Sequence, residues 1–260
     1  MEPLIELNDI TRLGWAFGLM AIALGLTTWQ NLGLTRNLAI ATVRTTVQLL
    51  VVGYFLTLVF ALESPWAVLA VLVVMLSVAT AVARNRISKK LPQLLPWLGG
   101  TLALVTALTL GYVNLLVIRP DTWYEPQYVI PLAGILLGNA MNASAIAGER
   151  LVSLLTTSQL EIETHLSLGA SPQQASLSYR REAVKAGMIP IINSMMVVGL
   201  VTLPGIITGQ ILSGVDPFNA ALYQILIMFM LAFTDLVAIL LVVGGILRQF
   251  FNSAAQLVLP

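Results

Sequence analysis

The chain of 260 residues contains no cysteine and a single histidine, His165. The absence of cysteine excludes disulfides, thiolate metal sites and catalysis by a thiol. Few carboxylates fall inside the hydrophobic runs, so no spacing of residues suggests a cluster of metal ligands. A nucleophile–base pair is also missing from these runs, which argues against an intramembrane enzyme.

Charged residues are scarce as well. They make up 10% of the sequence, whereas soluble domains carry about 25%. The three lysines are Lys89, Lys90 and Lys185, and none lies in the Gly-x4-Gly-Lys-Ser/Thr pattern of a nucleotide-binding P-loop. If ATP drives this protein, the ATPase must therefore be a separate chain.

Hydrophobic residues account for 58% of the sequence, and they are concentrated in long runs. A helix that spans a membrane needs roughly 20 apolar residues. Seven runs qualify, at about residues 13–29, 38–62, 65–83, 97–118, 128–149, 187–212 and 218–247. The sequence thus predicts an all-α, polytopic integral membrane protein in which residues 1–260 form one transmembrane domain.

The distribution of positive charge predicts the orientation of these seven spans. Eleven of the thirteen lysines and arginines fall on one side of the membrane, and only Arg12 and Arg119 fall on the other. Because cytoplasmic loops carry the excess of basic residues, we expect the N-terminus outside and the C-terminus in the cytoplasm.

The longest polar segment, from Glu161 to Pro190, is then cytoplasmic. Gly169 suits the left-handed position that follows a helix end. Ser171 is a good N-cap residue, and proline fits the first position of a helix, as Pro172 would. The pattern predicts a helix, a sharp turn and a second helix.

An apolar stripe precedes this turn and predicts amphipathic cytoplasmic helices between spans five and six. Its members are Leu151, Leu154, Leu155, Ile162 and Leu166. We assign residues of about 149–186 to a segment that presses on a soluble partner; packing of this segment on its own membrane helices is the alternative.

The stretch Glu-Thr-His-Leu-Ser-Leu-Gly-Ala-Ser-Pro, from Glu163 to Pro172, resembles the coupling loop of ABC-importer permeases in its Glu-to-Gly spacing. Thr164 and His165 replace two alanines of that loop. Together with Thr42–Leu49 and Gly138–Ala143, the chain resembles the FetB family of bacterial iron-export permeases, which has plant relatives linked to aluminium tolerance.

This resemblance implies a permease of the bacterial inner membrane that exports iron or a related metal. It also implies a separate ATPase subunit that binds ATP and Mg²⁺, a permease homodimer within the lipid bilayer, no cofactor bound by this chain, and no nucleic-acid partner. The residues that match the coupling loop are Glu163, Leu168, Gly169, Ala170, Ser171 and Pro172.

Polar residues and methionines within the spans are candidates for the translocation path. They are Gln48, Asn139, Asn142, Asn193, Met195, Met196 and Asp235. Asp235 is the one ionisable residue deep in a span, and such residues are functional or paired. Bonding between helices and flexible packing are the alternatives for the amides and the methionines.

Pro204 and Gly205 predict a kink or gate in the sixth span, because a proline inside a helix leaves a carbonyl without its partner. Ordinary helix bending explains the same pair. Two other functions also remain open: a proton-coupled secondary transporter that uses Asp235, and an ABC permease for a solute other than a metal.

Overall fold

A computed structural model describes residues 7–62, 64–91, 93–118, 122–252 and 254–259. Within these residues the chain is helical, with two isolated β-bridges and no β-strand. The chain divides into two compact units, residues 1–62 and 63–260. The expectation that residues 1–260 form one domain remains a prediction.

The first unit is a helical hairpin, formed by α1 (Leu7–Trp29) and α2 (Thr35–Leu62). The hydroxyls of Thr27 and Thr35 lie 3.1 Å apart and form a hydrogen bond across the turn. Most of the described side chains of both helices are exposed, including many large apolar ones, and Val59 is the one described residue of the two helices that is buried. The hairpin therefore has almost no core of its own.

The second unit contains the remaining helices. They are α3 (Pro65–Ile87), α4 (Leu94–Tyr112), α5 (Pro126–Thr157), α6 (Gln159–Ser167), α7 (Pro172–Ala175), α8 (Leu177–Val197), α9 (Gly205–Leu212) and α10 (Pro217–Phe250). A π-helical segment, Val113–Ile118, continues α4. α5 is the central helix and packs against α3, α4, α8 and α10. Leucine, isoleucine, valine and alanine dominate its buried surroundings.

Five described helical segments are long and apolar enough to cross a membrane. They are Thr35–Leu62, Pro65–Ile87, Leu94–Val117, Pro126–Thr157 and Pro217–Phe250. They correspond to the predicted spans two, three, four, five and seven. The predicted first span falls in α1, whose apolar part, Phe17–Trp29, is shorter.

The predicted sixth span is not one continuous helix. α8 ends at Val197 and α9 begins at Gly205. Leu203 comes before a proline, and the ring of Pro204 disfavours a helical backbone for that residue. The backbone amide of Gly199 donates to the carbonyl of Thr202 at 2.9 Å, so the break satisfies part of its own hydrogen bonding. Where the sequence predicts a kink, the structure has a complete break.

α5 also differs from its predicted span, since it continues to Thr157 rather than ending by Glu149. Its last eight residues therefore belong to the segment that the sequence assigns to coupling. Of the basic residues used to predict orientation, Arg119 lies outside the described part of the chain, and the side chain of Arg12 is not described.

Candidate functional site

The turn between α6 and α7 is built from two standard helix caps. Gly169 has a φ of +91°, which a residue with a side chain rarely adopts. Its amide donates to the carbonyl of Leu166, and the amide of Ala170 donates to the carbonyl of His165, both at 3.0 Å. This pair of bonds is the Schellman arrangement that ends a helix, so the predicted helix stop is confirmed.

The next helix starts two residues later with a capping box. The hydroxyl of Ser171 accepts from the amide of Gln174 at 3.3 Å, and the side-chain oxygen of Gln174 accepts from the amide of Ser171 at 2.9 Å. Pro172 occupies the start of α7. Because local hydrogen bonds fix both helix ends, the turn has a defined shape.

One face of this helical segment is anchored in the core. The side chains of Leu151, Leu155 and Ile162 are completely buried, and Tyr179 of α8 lies in the same cluster. Burial raises the pKa of the Tyr179 hydroxyl above its ordinary value of 10.0. Leu154 and Leu166 are half-buried against the cluster. The predicted apolar stripe is therefore confirmed, and it ties α6 to α5 and α8.

The opposite face exposes two large apolar side chains, Leu160 at 79% and Leu168 at 80%. Glu163 is also exposed, and its carboxylate accepts a hydrogen bond from the side-chain nitrogen of Gln159 at 2.8 Å. Ala170 is half-buried at the turn. We call residues 159–175 the coupling hairpin. Its exposed side combines leucines with a carboxylate, a surface suited to contact with another protein.

A polar cavity lies farther along the two helices that carry the hairpin. Its volume is about 110 Å³, and α5, α8 and α10 enclose it. Its polar lining comes from Asn139, Asn142, Ser194 and Asp235. The structure therefore brings together three of the residues that the sequence proposes for the translocation path.

Asp235 is the charged member of this lining and is 2% exposed. Among the described residues, no hydrogen-bond donor reaches its Oδ1. The adjacent Thr234 is bonded to Thr109 of α4 instead, with 2.9 Å between the two hydroxyls. A buried carboxylate oxygen without a protein partner is costly, so this position is suited to a bound proton or ion.

The two asparagines of the cavity are held differently. The side-chain nitrogen of Asn139 donates to the carbonyl of Ile135 at 2.9 Å. The side-chain oxygen of Asn142 accepts from a guanidinium nitrogen of Arg86, on α3, at 3.0 Å. Asn142 thus links the cavity to the positive charge of Arg86, on α3.

The helices that line the cavity pack closely at its end toward the coupling hairpin. A Cβ atom added at Gly187 of α8 would lie 2.9 Å from both the carbonyl oxygen of Ala143 and the Cβ of Ala147, on α5. It would lie 2.8 Å from Cδ1 of Ile239, on α10. Only glycine permits α8 to cross α5 this closely.

Comparison with known proteins identifies the family to which the chain belongs. The model of the uncharacterised protein family UPF0014 matches residues 10–251. This protein belongs to the UPF0014 family. A UPF0014 membrane protein of Synechocystis is 52% identical over 256 residues, which cover 98% of each chain.

Two further relatives of this UPF0014 protein have names that describe a role. The probable iron export permease protein FetB of Escherichia coli is 32% identical, with 96% of each chain covered. Protein ALUMINUM SENSITIVE 3 of Arabidopsis thaliana is 32% identical, with 98% of this chain and 92% of the relative covered. No solved structure matches the chain.

Several predicted path residues of this UPF0014 chain are not part of the cavity lining. Gln48 is exposed on α2, in the other unit, and Asn193 and Met196 are exposed on α8. Met195 and Pro204 line a second cavity of about 340 Å³ beside the break between α8 and α9. Gly205 forms the first residue of α9.

The path residues predicted from the sequence do not include Ser194. Ser194 lines the polar cavity, whereas its neighbour Asn193 does not. Gly187, Pro190 and Ser194 follow one another at spacings of three and four residues and therefore share a helix face. Once α8 is known to cross α5 at Gly187, this spacing identifies Ser194 as a residue that faces α5.

Proposed function

We propose that this protein is the membrane-spanning permease subunit of an ABC transporter that exports iron or a related metal. A separate ATPase subunit binds ATP and Mg²⁺ and supplies the energy. The relationship to the protein named as a probable iron export permease supports this proposal, at 32% identity over nearly the whole chain. The nature of the cargo depends on that relationship.

The coupling hairpin is the observation that carries the proposal. Its inner face is buried against α5 and α8, whereas Leu160 and Leu168 are exposed on its outer face. A partner that presses on this outer face moves both helices, because Ile162 and Tyr179 belong to one packed cluster. Packed interiors transmit such displacements rather than absorbing them.

In this mechanism, ATP binding draws two ATPase subunits together, and each pushes one coupling hairpin. α5 and α8 then tilt, and the polar cavity between them opens alternately to the two sides of the membrane. The two permease copies surround the path. Glu163, Ala170, Ser171 and Pro172 shape the contact surface, and Gly169 gives it its sharp turn.

The proposed arrangement has seven spans in the bacterial inner membrane, with the N-terminus outside and the C-terminus in the cytoplasm. The charge distribution supports it, since Arg84, Arg86, Arg180 and Lys185 fall on the same side as the coupling hairpin under this topology. The sixth span is then formed by α8 and α9 together, with the break between them. Broken helices of this kind occur where backbone lines a cavity in a membrane protein.

The test is co-expression of the tagged full-length protein with a candidate ATPase that carries Walker motifs. We expect the two to co-purify and expect addition of iron or a related metal ion to stimulate ATP hydrolysis. Leu168→Asp should abolish co-purification, because it places a charge in an apolar contact. Val258→Asp is the matched control, since Val258 is exposed in the C-terminal tail. Equal co-purification of both variants would contradict the proposal.

A second candidate, a proton-coupled secondary transporter, is favoured by the unpartnered carboxylate oxygen of Asp235. This reading predicts that proton-driven uptake proceeds in vesicles without any ATPase and stops in Asp235→Asn. It also predicts that Leu168→Asp has no effect on uptake. An ABC permease for a solute other than a metal would show the same co-purification as the first proposal, but no stimulation by metal ions.

A further inference from the structure

We infer that the polar cavity between α5, α8 and α10 is a binding site for one small, hard cation, with Asp235 as its charged ligand. This inference rests on the proposed function, since it assigns a place in the fold to the cargo of the permease. Its evidence comes from the cavity itself.

The donor atoms of the lining are oxygens. They come from the carboxylate of Asp235, the amide of Asn139 and the hydroxyl of Ser194. Carboxylate, carbonyl and hydroxyl oxygens suit hard cations such as Mg²⁺ and Mn²⁺ rather than ions that prefer sulfur. The side-chain nitrogen of Asn139 is held by the carbonyl of Ile135, which leaves the amide oxygen as the atom available to a cation.

The carboxylate needs a positive partner. Asp235 is 2% exposed, and its Oδ1 receives no hydrogen bond from the described residues. No basic residue lines the cavity within the part of the chain that the structure describes. A buried charge is paired or coordinates an ion, and the cavity that Asp235 lines has room for such an ion.

The volume of the cavity limits the size of the solute that it can hold. Its volume of about 110 Å³ accommodates an ion with a few water molecules, since each water occupies about 30 Å³ in the liquid. Sites for drug-sized solutes usually have about 300–1,000 Å³. A sugar conjugate or a peptide therefore does not fit. The larger neighbouring cavity has Gln224 as its amide and offers no charged ligand.

The positive charge of Arg86 favours release of a cation from the site. Its guanidinium donates to the oxygen of Asn142, so a positive charge lies beside the cavity without lining it. A cation that binds to Asp235 is repelled by this charge. The site is therefore weak, which suits a transporter that must release its cargo.

Mn²⁺ alone is the probe that tests this assignment, because electron paramagnetic resonance distinguishes free from bound Mn²⁺. The full-length protein is titrated in nanodiscs without nucleotide or ATPase. We expect one Mn²⁺ per chain. Asp235→Asn should weaken binding at least tenfold, and Ser194→Ala should weaken it severalfold.

The matched control is Asp216→Asn. Asp216 is exposed and caps the same helix through the amides of Phe218 and Asn219, and asparagine caps a helix equally well. This variant should bind Mn²⁺ like the unmodified protein. Arg86→Gln should raise the affinity severalfold, whereas Arg180→Gln, at an exposed position of α8, should not change it. A thermal unfolding curve of each variant checks that the variant is folded.

Equal affinity in Asp235→Asn and the unmodified protein would overturn the inference. So would an absence of Mn²⁺ binding, which would assign the cavity to a proton instead. A fall in affinity in Arg86→Gln would contradict the repulsion of the ion by the charge of Arg86. Because the titration contains no ATPase, these outcomes are separate from failure of co-purification, which tests the proposed function.

Discussion

The close crossing of α5 and α8 gives a prediction whose size follows from the structure. In Gly187→Ala the new methyl group lies 2.9 Å from a backbone oxygen and from the Cβ of Ala147. Neither atom is at the end of a flexible side chain, so α8 must move away from α5 by about 0.5 Å to restore ordinary contact. Overpacking of this kind costs about 1–3 kcal/mol.

Alanine also favours the helical state over glycine by about 0.5–1 kcal/mol, which offsets part of that cost. The net effect on the free energy of unfolding is a loss of about 0–2.5 kcal/mol. For a chain of this size, each kcal/mol lowers Tm by about 2–4 °C. Transport should also fall, because the close crossing of α8 and α5 lies between the cavity and the coupling hairpin and is loosened.

The control is Gly138→Ala, on α5. A Cβ at Gly138 has no atom within 4 Å, so only the helix preference acts, and stability should rise by up to about 1 kcal/mol. The assay is thermal unfolding of both variants after purification in the same detergent. If the two variants shift Tm in the same direction by the same amount, the reasoning about the crossing is wrong.

The other predictions concern helix ends and one interhelical contact. Ser171→Ala removes the capping box and should cost about 1 kcal/mol of local stability. We expect faster proteolysis of the coupling hairpin and weaker stimulation of the ATPase. An unchanged proteolysis rate together with unchanged ATPase stimulation would contradict a role for the cap. Trp97→Phe removes the indole hydrogen bond to the carbonyl of Leu241 at 2.8 Å and the stacking beneath the guanidinium of Arg248 at 5.5 Å. We expect a loss of about 1–2 kcal/mol in thermal unfolding, whereas Trp123→Phe, in an exposed loop, should have little effect.

Local chemistry made the coupling hairpin predictable. Its stop and start depend on Gly169, Ser171 and Pro172, and each of these residues acts through its own backbone or its nearest neighbours. The buried stripe was predictable as well, because α5 and α6 present Leu151, Leu155 and Ile162 to the same core. The long helices follow from hydropathy alone.

The break in the sixth span was not predictable from hydropathy, because Val198, Leu200, Val201 and Leu203 are as apolar as a continuous span requires. The break depends on the backbone around Pro204 and on hydrogen bonds formed within the loop. The polar cavity was predictable only in part. Asn139 and Asn142 share a face of one helix, but the meeting of that face with Ser194 and Asp235 depends on how three helices pack.

The claim on which the account depends is that a separate ATPase drives α5 and α8 through the coupling hairpin. Because the chain has no cysteine, Leu168→Cys provides a single site for a thiol-linked photocrosslinker, and Thr122→Cys provides the control on the opposite side of the proposed topology. In membranes that contain the assembled transporter, the account predicts a crosslink to the ATPase from position 168 and none from position 122. Absence of that crosslink at position 168, or labelling of position 168 by an impermeant reagent from outside the cell, would contradict it.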